Sequence, residues 1–191
     1  MSGYEPSPTE VRLTLLLGNT IVSPFYKHYI DSLDLKGNER VLDFGSGSGV
    51  CSKHLAARLL KAGGHLTCLD ISRVWQDVIK KTLKRYPNVD YILGDITRLH
   101  IPAGSFDAIL IHLVIHDIDV HERPEILCHL ARVLVDGGKV FVCEPVGREG
   151  VSVDDLRGLM RQNGLEEIDS RITRVAMMTP TYRGVFRKTV R

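Results

Sequence analysis

The chain has 191 residues, 43% of them hydrophobic and 25% charged, the balance of one compact globular domain. Lys and Arg total 25 against 23 for Asp and Glu, a net charge of +2, so the overall balance demands neither nucleic acid nor an anionic membrane as partner. Met1 to Glu10 is polar, with Pro6 and Pro8, and lacks the basic start and apolar run of a secretory signal. Leu13 to Leu17 falls far short of the roughly 20 apolar residues that cross a bilayer. A cytoplasmic protein with no membrane span is expected. Cys51, Cys68, Cys128 and Cys143 form no C-x-x-C pair, which argues against a zinc knuckle, a redox motif or a disulfide framework; they read as small buried hydrophobes.

Apolar residues at helical spacing predict two short helices, Thr9 to Leu17 and Pro24 to Leu33, with Asn19 to Pro24 bending the chain between them. Lys36 to Glu39 is a turn signal, and Val41 to Phe44 a short buried strand that runs into Gly45-Ser46-Gly47-Ser48-Gly49. The alternation then continues: helix from about Val50 to Lys61, strand His65 to Asp70, helix Ser72 to Arg85, strand Val89 to Leu93, strand Phe106 to His112. Helix Arg123 to Leu134, strand Lys139 to Glu144 and helix Val153 to Asn163 complete it, the last closed by Gly164. Strands that are nearly continuous apolar runs belong in a parallel sheet covered on both faces, a doubly wound α/β fold. Leu165 to Met178 and Tyr182 to Val190 are β-type runs joined by Thr179-Pro180-Thr181, too short for a crossover, so they are expected to be antiparallel and to end the sheet in a hairpin.

A strand that ends in Asp43-Phe44 and passes through a glycine loop into a helix puts a bare backbone and a helix N-terminus at the carboxyl edge of the sheet, where ligands bind in such folds. The loop is G-x-G-x-G. Val50 stands where the dinucleotide fingerprint needs a small residue, and no Walker Gly-Lys-Ser/Thr follows. Asp70 ends the second strand, where an acid accepts from ribose hydroxyls. An Asp before a helix is also an N-cap, but Ser72 can cap equally well and leave Asp70 to a ligand.

With Leu69-Asp70, Gly94-Asp95-Ile96, Phe106 to His112 and Leu134 to Glu144 following Val41 to Gly49 in order, the chain resembles the class I S-adenosylmethionine-dependent methyltransferases over roughly residues 36 to 190. The resemblance implies a Rossmann-like methyltransferase fold, a mostly parallel seven-stranded sheet ending in the antiparallel hairpin. It also implies a helical cap segment over residues 1–35 and a donor-binding domain over 36–191. S-adenosylmethionine is the implied cofactor, with S-adenosylhomocysteine as product. Asp43 and the backbone of Gly45, Gly47 and Gly49 would hold the methionine moiety. Asp70 would take the ribose, Ile71 would flank the adenine, and Asp95 and Ile96 would meet its amino edge. His112 and Leu113 would line the floor, and Tyr26 would belong to an aromatic lid.

Methyl transfer from a sulfonium needs alignment and exclusion of water, with a base as an option. His112 to His121 supplies three histidines and two aspartates, and His116 could serve as base with Asp117 or Asp119 orienting a ring. Glu144, at the end of the fifth strand, either faces substrate or satisfies N–H groups of the next loop, and with His116 and His112 it completes the catalytic candidates. Side chains on a strand end diverge, so no metal is expected. No Asn-Pro-Pro-Tyr or Cys follows the fourth strand, which disfavours base methylation, and the hairpin arginines read as a solvated face rather than a nucleic-acid site. The expected activity is methylation of a small molecule, with likeness to the ubiquinone and menaquinone branch. An RNA or protein methyltransferase, or a noncatalytic donor-binding subunit, is the alternative, and a protein partner or homodimer is left open.

Overall fold

The computed structural model describes residues 5–147, 150–174 and 179–190. The chain divides into two compact units, Met1–Asp95 and Ile96–Arg191.

The first unit begins with two helices, α1 (Pro8–Asn19) and α2 (Ser23–Ser32), followed by β1 (Arg40–Phe44), α3 (Ser52–Leu60), β2 (His65–Asp70), α4 (Arg73–Thr82) and β3 (Val89–Leu93). Ser7 caps α1 by accepting from the Glu10 N–H at 3.3 Å, and Pro8 takes the first helical position, where its missing N–H is no loss. The strands lie in the order β3-β2-β1, all parallel, with Val41 beside Leu66 and Leu66 beside Val89. Leu42 and Leu66 on the strands and Leu55, Leu59 and Ile79 on the helices are fully buried. This agrees with apolar runs that carry no in-and-out alternation.

The second unit contains β4 (Phe106–His112), a 3-10 turn over Ile115–Asp117, α5 (Arg123–Val133), β5 (Leu134–Pro145), α6 (Val153–Gln162), β6 (Leu165–Thr173) and β7 (Thr181–Lys188). Its strand order is β4-β5-β7-β6, with β4 and β5 parallel and β7 antiparallel to both of its neighbours. The seven strands and their alternating helices are the α/β fold expected, mostly parallel and closed by an antiparallel pair.

Three details differ from the sequence expectation. β5 starts at Leu134 rather than Lys139, because Leu134 already pairs with Phe106, and the Gly137-Gly138 pair lies within the strand at a register shift. The expected strand to Met178 is seen only to Thr173, and residues 175–178 lie outside the described residues. Cys128 is exposed, unlike the other three cysteines, because Ile126, Leu127, Leu130 and Ala131 take the inner face of α5 and helical periodicity leaves position 128 outside. No helix among the described residues is long and apolar enough to cross a membrane.

The end of α2 is held by one side chain. Carbonyls that leave a helix C-terminus have no intrahelical partner, and the Arg58 guanidinium on α3 donates to those of Ile30 at 2.6 Å, Leu33 at 3.0 Å and Leu35. A lysine ammonium lacks the planar fork that spans such a set. Arg58→Ala is expected to lower the unfolding free energy by about 1–3 kcal/mol, with Arg58→Lys recovering only part of it, as read by urea denaturation.

Candidate functional site

In the first unit, the glycine loop is fixed from below by β2. The Gly45 and Ser46 N–H groups both donate to the Leu69 carbonyl, at 2.8 and 3.1 Å. Gly47, at φ 51°, turns its N–H onto Asp70 Oδ2 at 2.7 Å, in the left-handed region that a side chain disfavours. At Gly49 a Cβ would stand 2.6 Å from Ile79 Cγ1, so the absent side chain lets the loop sit down on α4.

Asp70 Oδ1 also accepts from the Ser72 N–H at 2.9 Å, while the Ser72 hydroxyl caps α4 by accepting from the Trp75 N–H at 3.1 Å. Ser72 therefore caps the helix as expected, yet Asp70 is already engaged. One hydrogen bond on each oxygen still leaves each oxygen room to accept another. Burial raises the Asp70 pKa, against the lowering effect of these backbone N–H groups.

Asp43, at the end of β1, is 3% exposed, and its Oδ2 accepts from the Ser52 hydroxyl at 2.5 Å. Burial pushes its pKa up to about 6; the Ser52 hydrogen bond opposes this, and the nearby Asp70 charge adds to it. A carboxylate in that position gains most from a nearby cation.

Glu5 completes this region, and sequence reasoning missed it. Its Oε2 accepts from the Ser72 hydroxyl at 2.6 Å and the Val74 N–H at 3.1 Å, and its Oε1 from the Arg73 N–H at 2.9 Å, which places a carboxylate on the N-terminus of α4. The Ser72 hydrogen bond leads the causes that lower the Glu5 pKa. A separation of 67 residues leaves no local signal of this contact. Ser52, also missed, was legible in principle as a hydroxyl at the start of the helix that follows the loop. Tyr26, Ile71 and Asp95 are all half-buried in this unit.

In the second unit, Glu144 on β5 is fully buried, and the chain that leaves β4 wraps around it. Leu113 adopts φ 60°, strained for a residue with a side chain, and its N–H donates to the Cys143 carbonyl at 2.8 Å. Past that turn, the Val114 and Ile115 N–H groups donate to Glu144 Oε1 at 2.7 and 2.9 Å, and the His116 N–H approaches Oε2 at 3.4 Å. His116 Nδ1 lies 2.8 Å from Oε2. Glu144, not Asp117 or Asp119, thus orients the ring: Asp117 Oδ1 lies 3.5 Å from Nε2, and Asp119 Oδ1 accepts from the His121 N–H at 2.8 Å. The hydrogen bond that its Nδ1–H donates to Glu144 raises the His116 pKa above its ordinary value, against burial. His112, at the end of β4, is held neutral, with its pKa pushed down to about 4 by burial and by the Arg183 charge. Ile96 is buried, and Leu113 is 40% exposed.

Residues 41–138, just over half of the chain, match the family described as Methyltransferase domain. The chain belongs to that family. This methyltransferase domain is 34% identical to the demethylmenaquinone methyltransferase of Tropheryma whipplei over 114 residues, 59% of the chain and 44% of that protein. The domain thus spans less than half the length of such relatives. Its fold is that of a SAM-dependent methyltransferase from Aquifex aeolicus, with a TM-score of 0.74 at 15% identity over 95% of this chain and 98% of that one. It is also that of the Burkholderia thailandensis 1,6-didemethyltoxoflavin-N1-methyltransferase, with a TM-score of 0.65 at 17% identity over 91% and 79% of the two chains. The latter structure contains 1,6-didemethyltoxoflavin and S-adenosylhomocysteine.

The Asp43 carboxyl makes a prediction with a defined sign. Its folded-state pKa lies above the ordinary 3.8, so it costs nothing while protonated, and the cost grows as pH rises from 3.8 to about 6. Asp43→Asn, which keeps an acceptor for Ser52, is expected to make the ligand-free domain more stable by roughly 1–3 kcal/mol at neutral pH. The gain should vanish below pH 3.8. Denaturant melts over a pH series measure it, and a gain independent of pH would show that the carboxyl's charge is not the cause.

Proposed function

We propose that this domain transfers a methyl group from S-adenosylmethionine to a small-molecule acceptor. The observation that carries the reading is the first unit's glycine loop, with the buried Asp43 and Asp70 side by side in their electrostatics and a backbone bared by Gly45, Gly47 and Gly49. Its membership of the methyltransferase domain family and the S-adenosylhomocysteine in the Burkholderia relative support the choice of donor.

When bound, S-adenosylmethionine supplies a methyl group on a sulfonium, open to in-line displacement by a nucleophile. In this reading Asp43 holds the donor's ammonium and is itself kept ionised by it. Asp70 accepts from the ribose hydroxyls with the lone pairs that Gly47 and Ser72 leave open. Ile71 flanks the adenine, Asp95 and Ile96 meet its edge, His112 and Leu113 border the sulfonium, and Tyr26 covers it.

His116 accepts the acceptor's proton at Nε2, since Nδ1 is committed to Glu144. Glu144 is then a positioning residue. It fixes the ring and stabilises the imidazolium that forms. A neutral His112 of pKa about 4 is too weak a base for this step.

The name of the Tropheryma relative points to a quinone-like acceptor for a first screen.

Calorimetric titration is expected to show binding of S-adenosylmethionine and S-adenosylhomocysteine and none of NAD. Asp70→Ala should weaken both by about 1–3 kcal/mol; an unchanged Kd would remove Asp70 from the donor site. With an acceptor in hand, His116→Ala should lower kcat far more than it changes donor affinity. The wild-type rate should rise with pH through the raised pKa of His116, because only the neutral ring accepts a proton. Glu144→Gln should move that inflection to lower pH. A rate profile that ignores both substitutions would return His116 to a structural role.

A further inference from the structure

The last strand in the order of the second unit, β6, pairs with β7 alone among the described residues, and its outer edge is open. Open edges are usually guarded by charges that repel a second strand. Along β6 the signs are instead divided: Glu166, Glu167 and Asp169 precede Ser170, and Arg171 follows it, with Arg174 just past the strand's end.

Two such strands laid antiparallel about a two-fold axis at Ser170 bring opposite signs together. Residues at equal distance from the axis face one another, so Asp169 meets Arg171 twice. In a parallel alignment in register, like charges would face like. The side chains concerned are available. Ile168 is 45% and Ile172 56% exposed, large for apolar groups on a strand, and Asp169 and Arg171 are exposed with no hydrogen bond or ion pair among the described residues. Glu167, by contrast, is committed to Arg157, Ser170 and Tyr182. The ladder to β7 shifts register between Glu167 and Asp169 and skips Ile168, which limits the regular segment to residues 169–173 and leaves Asp169, Ser170 and Arg171 as its matched centre.

We propose that β6 is the surface through which two copies of this chain associate, edge to edge and antiparallel about Ser170. Asp169 of each copy then pairs with Arg171 of the other, and association removes exposed Ile172 from water beside the shared edge. Backbone N–H and C=O groups on the open edge gain ladder partners, which supply affinity, while the charge order sets orientation and register.

The test is sedimentation velocity of the full chain over a concentration series, with circular dichroism to confirm that exposed substitutions leave the fold intact. The wild-type chain should show a concentration-dependent dimer. Asp169→Arg and Arg171→Asp, each alone, place like charges opposite one another and should weaken self-association at least about tenfold. An equimolar mixture of the two variants should restore the dimer, because each then carries the charges that the other lacks, and the double variant D169R/R171D should dimerise alone for the same reason. A wild-type chain that stays monomeric throughout overturns the proposal. So does a dimer that either single substitution leaves equally tight, or a mixture that fails to recover association.

Discussion

Backbone N–H groups just past the end of a parallel strand have left the ladder and still need acceptors, and in this chain buried carboxylates supply them. Asp70 takes the N–H groups of Gly47 and Ser72, and Glu144 takes those of Val114 and Ile115. Each acid stands at the carboxyl end of a strand, and each fixes a loop that has no regular structure of its own. The shape of both loops follows. Gly47 turns into the left-handed region to reach Asp70, and Leu113 accepts the same strain so that the next three N–H groups converge on Glu144. A carboxylate is the economical solution, because one side chain offers two oxygens and four lone pairs to several donors at once.

The three buried acids differ in how fully they are compensated. Glu144 has three backbone donors and the His116 ring, and Asp70 has two N–H groups. Asp43 has a single neutral hydroxyl, from Ser52, and it carries the pKa pushed up to about 6. Under-compensated buried charge lowers the stability of a free protein, and such strain gathers where a ligand later relieves it. The contrast between Asp43 and the other two acids therefore marks out the acid suited to a cation, using only the count of donors around each.

Much of the architecture was legible in the order of the residues. Val41 to Phe44, His65 to Asp70 and Phe106 to His112 are unbroken apolar runs, and a strand of that kind is stable only where both of its faces are covered. The three-residue link before Tyr182 excluded a crossover, and β7 is antiparallel to both neighbours. What misled was local. The Gly137-Gly138 pair read as a break before a strand, whereas pairing of Leu134 with Phe106 carries β5 through it. Cys128 read as buried by its residue type, whereas its place on the helix put it outside.

The sequence by itself determined where acids and glycines fall at strand ends, since the period of the apolar pattern sets where each strand stops and so which side chains reach the sheet's edge. Only the tertiary structure decided which group each acid meets. The Glu144 partnership with His116 spans 28 residues and that of Glu5 with Ser72 spans 67, and no local pattern encodes either. The reason is physical: a hydrogen bond acts over about 3 Å, so its partners are chosen by the packing of distant elements and not by their spacing along the chain.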